Sequence, residues 1–308
     1  MPIDRSTLVL GPGKLTHNGG TFFSKEPILP TLEYETLEIA TDAHGKVDER
    51  RVELAGIIPV TPEGAWSASA RAALWPYAST LPGALIHPVP DLPLVIHSNN
   101  TDRHTFESAA ITRMPDILLS ATKTMIGQAE FTAVRKNNTG WADAASFLTI
   151  DTFAYSDTTF APANIKVQSY TGNWTGKTGF SAIETQEGWT ISFNLALEPL
   201  SVDDEGRLTF MFVSLDVMAS CIPVNVSAAN IFAGLGPHTH LRGTSLQATG
   251  ADLVITGADA STIVTLKSAN LKRAGFRFGS RVLRQGELGW VATRPITAGV
   301  PGAIFTLA

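Results

Sequence analysis

Hydrophobic and polar residues alternate most regularly between Thr31 and Ile39, where Leu32, Tyr34 and Thr36 oppose Glu33 and Glu35. A period of two puts successive side chains on opposite faces of a half-buried strand. Asp42-Ala43-His44-Gly45 follows as a turn, and a second strand is predicted from Lys46 to about Val60. The pair forms a long β-hairpin. The same pattern returns later, with a strand from Thr190 to Leu197, a turn at Asp203 to Gly206, and a strand from Arg207 to about Val217. A short helix is predicted after each hairpin. The first runs from Trp66 to Leu74, rich in Ala and closed by Pro76, and the second from Ser227 to Ala233, ended by Gly234. Leu94 to Ile96, His104 to Arg113 and Ile126 to Val134 read as the strands that close the first unit. Each half is thus expected to be mainly β (α+β), with one short helix laid on its strands.

The halves also match residue by residue. Leu94-Val95-Ile96 recurs as Leu253-Val254-Ile255 at an offset of 159, and Ser108 to Arg113 is echoed by Ser268 to Arg273 at 160. Gly127 with Phe131-Thr132-Ala133 is echoed by Gly286 with Trp290-Val291-Ala292, and Asp42 to Val47 by Asp203 to Leu208. Between them, Trp66-Ser67-Ala68 stands opposite Val226-Ser227-Ala228. Five collinear matches with a nearly constant offset point to a tandem duplication, with units at residues 1–150 and 151–308. The alternative is a single two-sheet domain whose hairpins merely resemble one another.

Composition narrows the function. Hydrophobic residues make up 44% and charged residues 17% of the 308, enough apolar content for a sizeable core beneath a neutral surface that suits self-association. A net charge of −5 argues against a nucleic-acid-binding face. No apolar run has transmembrane length, and Met1 to Gly20 carries charges and glycines too early for a signal peptide. Cys221 is the only cysteine, which fits folding in a reducing cytoplasm and leaves the three Asn-x-Ser/Thr sequons little weight.

Candidate chemistry is sparse. His238-Thr239-His240 would share a face on a strand and could begin a metal site, but a third ligand is missing and Gly236-Pro237 favours a loop. No Gly-x-Ser-x-Gly elbow occurs, Cys221 lies in an apolar stretch, and Gly234-Leu235-Gly236 lacks a phosphate-loop ending. Asp203 and Asp204 sit with Glu205 in a turn, where solvation is the simpler role. Trp66, Trp75, Phe131, Trp174, Trp189 and Trp290 invite comparison with sugar-stacking platforms, though their strand and helix positions suit packing. Neither an enzyme nor a cofactor is indicated.

Some wording of the first half resembles a known family. Gly11-Pro12-Gly13, Gly45 to Arg50, Leu74-Trp75-Pro76-Tyr77-Ala78 and Met114 to Thr124 are similar to segments of the tail tube (major tail) proteins of long-tailed bacteriophages. The likeness covers most of residues 10–135 and reaches the second half only through the internal repeat. It implies a β-sandwich or barrel flanked by a short helix, with six such folds closing a ring and rings stacking into a conduit for double-stranded DNA. A duplicated variant would form the ring from three chains. The implied partners are other copies of the chain, the tape measure protein, the tail terminator, distal tail and baseplate proteins, and passing DNA that is not specifically bound. The implied location is the virion tail, assembled in the host cytoplasm.

On that resemblance the hairpins would line the lumen, where acidic groups repel phosphates and basic ones would hold them. Glu33, Glu35, Glu38, Asp48, Glu49, Asp203 and Asp204 are the lumen-facing candidates. Trp75, Tyr77, Trp189 and Leu200 are candidates for contacts between subunits or rings, and the loops Gly83 to Leu92 and Pro199 to Glu205 for an arm to the next ring. Other tail, neck or contractile-injection tube components would fit similar features. A carbohydrate-binding two-domain β-protein is the alternative from a different class.

Overall fold

The computed structural model describes residues 14–86, 92–97, 102–135, 147–152, 164–202, 206–236, 250–276, 285–297 and 299–308. Strands dominate, and the protein is mainly β. The first half contains β1 (Lys14–His17), β2 (Gly20–Ser24), β3 (Thr31–Thr41), β4 (Gly45–Val60), β5 (Pro62–Glu63) and α1 (Ala68–Leu74). It continues with β6 (Leu85–Ile86), β7 (Leu94–His97), β8 (Asp102–Phe106), β9 (Ser108–Arg113), β10 (Ile117–Leu119), β11 (Met125–Ile126), β12 (Ala129–Val134) and β13 (Leu148–Thr152). The second half contains β14 (Tyr170–Trp174), β15 (Thr185–Val202), β16 (Gly206–Pro223), α2 (Ala228–Leu235), β17 (Ala251–Gly257) and β18 (Ile263–Phe276). It ends with β19 (Gln285–Val291), β20 (Ile296–Thr297), β21 (Val300–Pro301) and β22 (Phe305–Leu307).

Two sheets face each other in the first half, one ordered β13-β8-β7-β1-β2-β5 and the other β3-β4-β12-β9. The second half repeats the four-strand order in full and the six-strand order as far as its first four strands. β22 pairs with β18, β18 with β17 and β17 with β14, while β15, β16, β19 and β18 follow one another in the other layer. The two hairpins agree in detail. Their ladders shift register between Glu35/Thr36 and Ile39/Ala40 in one, and between Ala196/Leu197 and Leu200/Ser201 in the other, a constant offset of 161. Because a bulge redirects every side chain beyond it, matched bulges preserve the same face pattern along both ribbons.

The stretch from His104 to Arg113 is two strands rather than the single one expected. β8 belongs to one sheet and β9 to the other, and the chain crosses at Glu107, whose amide donates to the Phe147 carbonyl at 3.0 Å. In the second half β18 crosses unbroken, turning at Ser268, which has a φ of 43°. That continuous corner fuses two layers into one ten-stranded sheet.

The helices begin alike. Ser67 Oγ accepts from the Ala70 amide and Ser227 Oγ from the Asn230 amide, each at 3.2 Å. α1 stops before Pro76, but α2 runs past Gly234 and ends on Gly236, whose φ of 61° supplies a left-handed cap. Gly234 lies inside the helix, where a Cβ would meet the Phe180 ring at 3.1 Å.

Each sandwich is filled by the inward residues of both sheets. Leu15, Phe22, Ile58, Leu94, Ile111 and Phe131 fill the first, and Trp174, Trp189, Leu253, Ile255, Leu266 and Trp290 the second, all essentially without solvent contact. Each such side chain contributes about 1.5–3 kcal/mol by leaving water. The connecting segment is fastened at both ends. Asn164 Oδ1 accepts from the Gly64 amide, and the Ile165 carbonyl accepts from Thr124 Oγ1, whereas Lys166 and Gln168 bond to Asp259. First-half contacts therefore extend to residue 165, beyond the expected boundary at 150.

Candidate functional site

The most elaborate surface is the seam where the first half grips the hairpin of the second. Beyond β9 the chain leaves its sheet at Met114-Pro115, since proline has no amide to continue a ladder. β10 lands on the outer edge of β15, with Ile117 opposite Ile191, Leu118 opposite Thr190 and Leu119 opposite Trp189. Asp116 Oδ1 accepts from the Phe193 amide at 3.1 Å and anchors the start of this pairing. Gly188 permits the close approach: its φ is +97°, and a Cβ would stand 2.2 Å from the Leu119 carbonyl oxygen.

Further out, β6 pairs with β16, Ile86 opposite Phe210 and Leu85 opposite Met211. The Gly83 amide donates to the Phe212 carbonyl at 2.8 Å, and the Phe212 amide to the Ala84 carbonyl at 2.9 Å. Between these clamps, Trp75 packs on Phe193 with ring centroids 6.2 Å apart, and Tyr77 on Phe212 at 5.9 Å. Arg294 closes the far side by donating from Nη2 to the Thr80 carbonyl at 2.8 Å.

Three of the expected contact residues are therefore committed within the chain and closed to a neighbour. Trp75, Tyr77 and Trp189 are 3%, 4% and 0% exposed. Trp75 Nε1 donates to the Pro115 carbonyl and Tyr77 Oη to the Ile111 carbonyl, both at 2.9 Å, and burial pushes the Tyr77 phenol above its ordinary range. Trp189 packs against Trp290 in a tilted pair, ring centroids 5.6 Å apart. Trp75 and Tyr77 are covered by Phe193 and Phe212, which lie far along the chain and which local sequence does not reveal. Leu200 is half-buried opposite Thr209 near the hairpin tip. Of the proposed arms, Gly83 to Ile86 lies on β16, whereas 87–91 and 203–205 lie outside the described residues.

The hairpin faces sort the acidic candidates. Phe193, Leu195, Phe210, Phe212 and Leu215 point toward the first half, leaving the opposite face, with Asn194, Ala196, Glu198, Ser214 and Asp216, exposed. In the register of β3 and β4, Glu33 and Asp48 share that same outer face and are exposed. Glu35 pairs with Glu53 between them, and its side chain lies outside the described ones. Glu38 and Glu49 occupy the other face. There Lys46 Nζ reaches Glu49 at 2.9 Å and Glu38 at 3.8 Å, and a hydrogen bond from Thr36, seconded by Lys46, holds the Glu49 carboxyl below its usual range. The candidate set thus divides between two faces, because residues at odd separations on a strand point oppositely. Asp203 and Asp204 lie outside the described residues. Asp216, which alternation between Leu215 and Val217 could have revealed, joins the outer acidic face.

Cys221 is buried, and burial pushes its thiol well above the usual range. Among the described residues no group of three potential metal ligands occurs, and His238 and His240 lie outside them. The six aromatics that suggested a sugar platform are all interior, so none presents a ring face to solvent. No described helix is long and apolar enough to cross a membrane. No protein-family model matches the chain, and no curated protein matches it.

Proposed function

We propose that this chain is a structural virion protein, the tail tube (major tail) protein of a long-tailed bacteriophage, carrying the tube fold in two tandem copies. Three chains then supply six folds to one ring, and stacked rings form the conduit for DNA ejection. The observation that carries this proposal is the repeated architecture with unequal occupancy. Both halves share the four-strand order of the hairpin sheet and matched hairpin bulges, and among the described residues the hairpin of the second half is clamped by first-half strands whereas β3 pairs with β4 alone. A repeated unit that grips its neighbour on one side and lies open on the other is built for head-to-tail association, which closes into rings when the rotation permits.

The outer hairpin face fits a lumen wall. Glu33, Asp48, Glu198 and Asp216 are exposed on it. Fixed negative charge there repels a passing duplex and avoids the counterion release that would hold it. On this proposal the other partners are the tape measure protein, tail terminator and distal tail or baseplate proteins, and DNA passes without specific binding. Light scattering of the concentrated chain tests the assembly unit: the expected species has three times the 32.8 kDa chain mass or multiples of it. A monomer at every concentration would contradict the proposal.

A further inference from the structure

We infer that Asp252 is the latch of a strained corner in β18, a conformational device of the second half that is independent of the tube proposal. Lys267 and Ser268 together stand against Asp252, where the ladder of β17 and β18 shifts register between Ala251 and Leu253. Two residues opposite one form a β-bulge, and a left-handed residue in a bulge is ordinarily glycine. Here it is Ser268, with a φ of 43°. Asn18 and Ala260, the other described non-glycine residues of positive φ, lie between strands, whereas Ser268 lies inside one. A residue with a Cβ is disfavoured there by about five- to thirtyfold against an extended backbone.

Such a conformation persists where its surroundings over-determine it. Asp252 Oδ1 accepts from the Ser268 amide at 3.1 Å and Oδ2 from Lys267 Nζ at 2.7 Å, so one carboxylate spans both bulged residues. On the other side, the Ser268 carbonyl accepts from Asn270 Nδ2 at 3.0 Å and Thr293 Oγ1 at 2.8 Å. Gly250 passes close by, since a Cβ there would stand 2.6 Å from that same carbonyl oxygen. The Asp252 carbonyl accepts from the Thr175 amide at 2.9 Å, which ties the latch to the end of β14.

The first half builds the same corner without the carboxylate. The Glu107 amide donates to the Phe147 carbonyl at 3.0 Å, as the Lys267 amide does to the Ile304 carbonyl at 2.9 Å. With Leu94 matched to Leu253, however, Asp252 corresponds to Pro93, whose ring offers no acceptor. There the crossing is interrupted at Glu107, between β8 and β9. Asp252 is thus the group that lets β18 run through the corner, and its loss should give the second half the interrupted crossing of the first.

Amide exchange in the full chain tests the latch, read at Lys267 and at Thr293, whose amide donates to the Lys267 carbonyl at 3.1 Å. The Ala109 amide, held by the Leu92 carbonyl at 2.9 Å in the first-half corner, is the internal reference. Asp252→Ala is expected to speed exchange at the two second-half amides by about five- to thirtyfold, the strain released, and to leave Ala109 unchanged. Ser268→Gly in the same chain removes that strain and should return both amides to the native rate. Asp252→Asn keeps an acceptor for the Ser268 amide and should remain protected. Native rates in Asp252→Ala, or fast exchange that Ser268→Gly does not correct, would overturn the latch. So would Asp252→Asn exchanging as fast as Asp252→Ala, which would make the ion pair with Lys267 the holding contact. Should Asp252→Ala fail to fold, the double variant is still expected to fold, and failure of both would also overturn it.

Discussion

The indole of Trp75 packs against the ring of Phe193 at 6.2 Å between centroids, while its Nε1 donates to the Pro115 carbonyl at 2.9 Å. One side chain thus joins a helix end, the departing β10 segment and the hairpin of the other half. Trp75→Ala is expected to lower stability by about 3–5 kcal/mol, as for large aromatic truncations in packed interiors. Trp75→Phe keeps most of the packing but leaves the buried Pro115 carbonyl without its donor, at a cost of about 1–3 kcal/mol. Urea titrations followed by far-ultraviolet circular dichroism measure both, and equal losses would contradict the separate role of the hydrogen bond.

Gly188 and Gly45 both have positive φ, 97° and 67°, but only Gly188 is pressed against a carbonyl oxygen of another strand. Gly45→Ala is expected to cost about 1 kcal/mol from backbone conformation alone. Gly188→Ala adds a clash that must push β10 off β15, and its loss should be at least twice as large. Denaturant midpoints compare them, and amide exchange at Ile117 to Leu119 should quicken only in the Gly188 variant.

His17 gives the fold a pH dependence. Its ring is buried edge-on to Phe131 at 5.1 Å with Nδ1 donating to the Pro93 carbonyl, and desolvation lowers its pKa from 6.5 to about 4. Above pH 6.5 the imidazole is neutral in both states, and the native state has its full stability. Between pH 6.5 and 4 only the unfolded chain takes up the proton, so stability falls with falling pH. The slope is about 1.4 kcal/mol per pH unit, about 3 kcal/mol in all. His17→Gln should flatten that window in urea titrations at pH 7, 5.5 and 4.5, whereas an unchanged slope would assign the acid sensitivity to other groups.

The first hairpin was legible because Leu32, Glu33, Tyr34 and Glu35 alternate without interruption up to a turn with glycine. The second is longer than its sequence suggested: β15 continues through Glu198-Pro199-Leu200 to Val202, where proline and a mixed pattern hide the strand. Its apolar face is covered by Trp75, Tyr77 and β6, more than a hundred positions upstream, and local periodicity carries no information about such a partner. The corner at Glu107 escaped notice for a related reason, since neither glycine nor proline marks it. The residue matches at a nearly constant offset were legible in the sequence, while the seam between halves depends on where Met114-Pro115 sends the chain. The acidic site was legible in composition only. Deciding between faces needed the register of β3 with β4, in which odd separations along each strand divide Glu33 and Asp48 from Glu38 and Glu49.

Charge on the outer hairpin face offers a separate test. Glu33→Lys combined with Asp216→Lys should leave assembly unchanged, because both side chains are exposed and point away from the seam. Assembled particles of the double variant should retain duplex DNA that the native ones release. Retention should weaken with salt, by about one power of salt concentration for each phosphate contacted. Co-sedimentation with labelled DNA at low and high salt measures it, and identical release from native and variant particles would remove the lumen assignment.

The most direct measurement is electron microscopy of the purified, concentrated chain in negative stain. The account predicts rings or stacked tubes whose end-on averages show threefold symmetry with six similar lobes around an open bore, about 40 Å across to clear a hydrated duplex. Particles without a bore, or rings of six whole chains with twelve lobes, would contradict it.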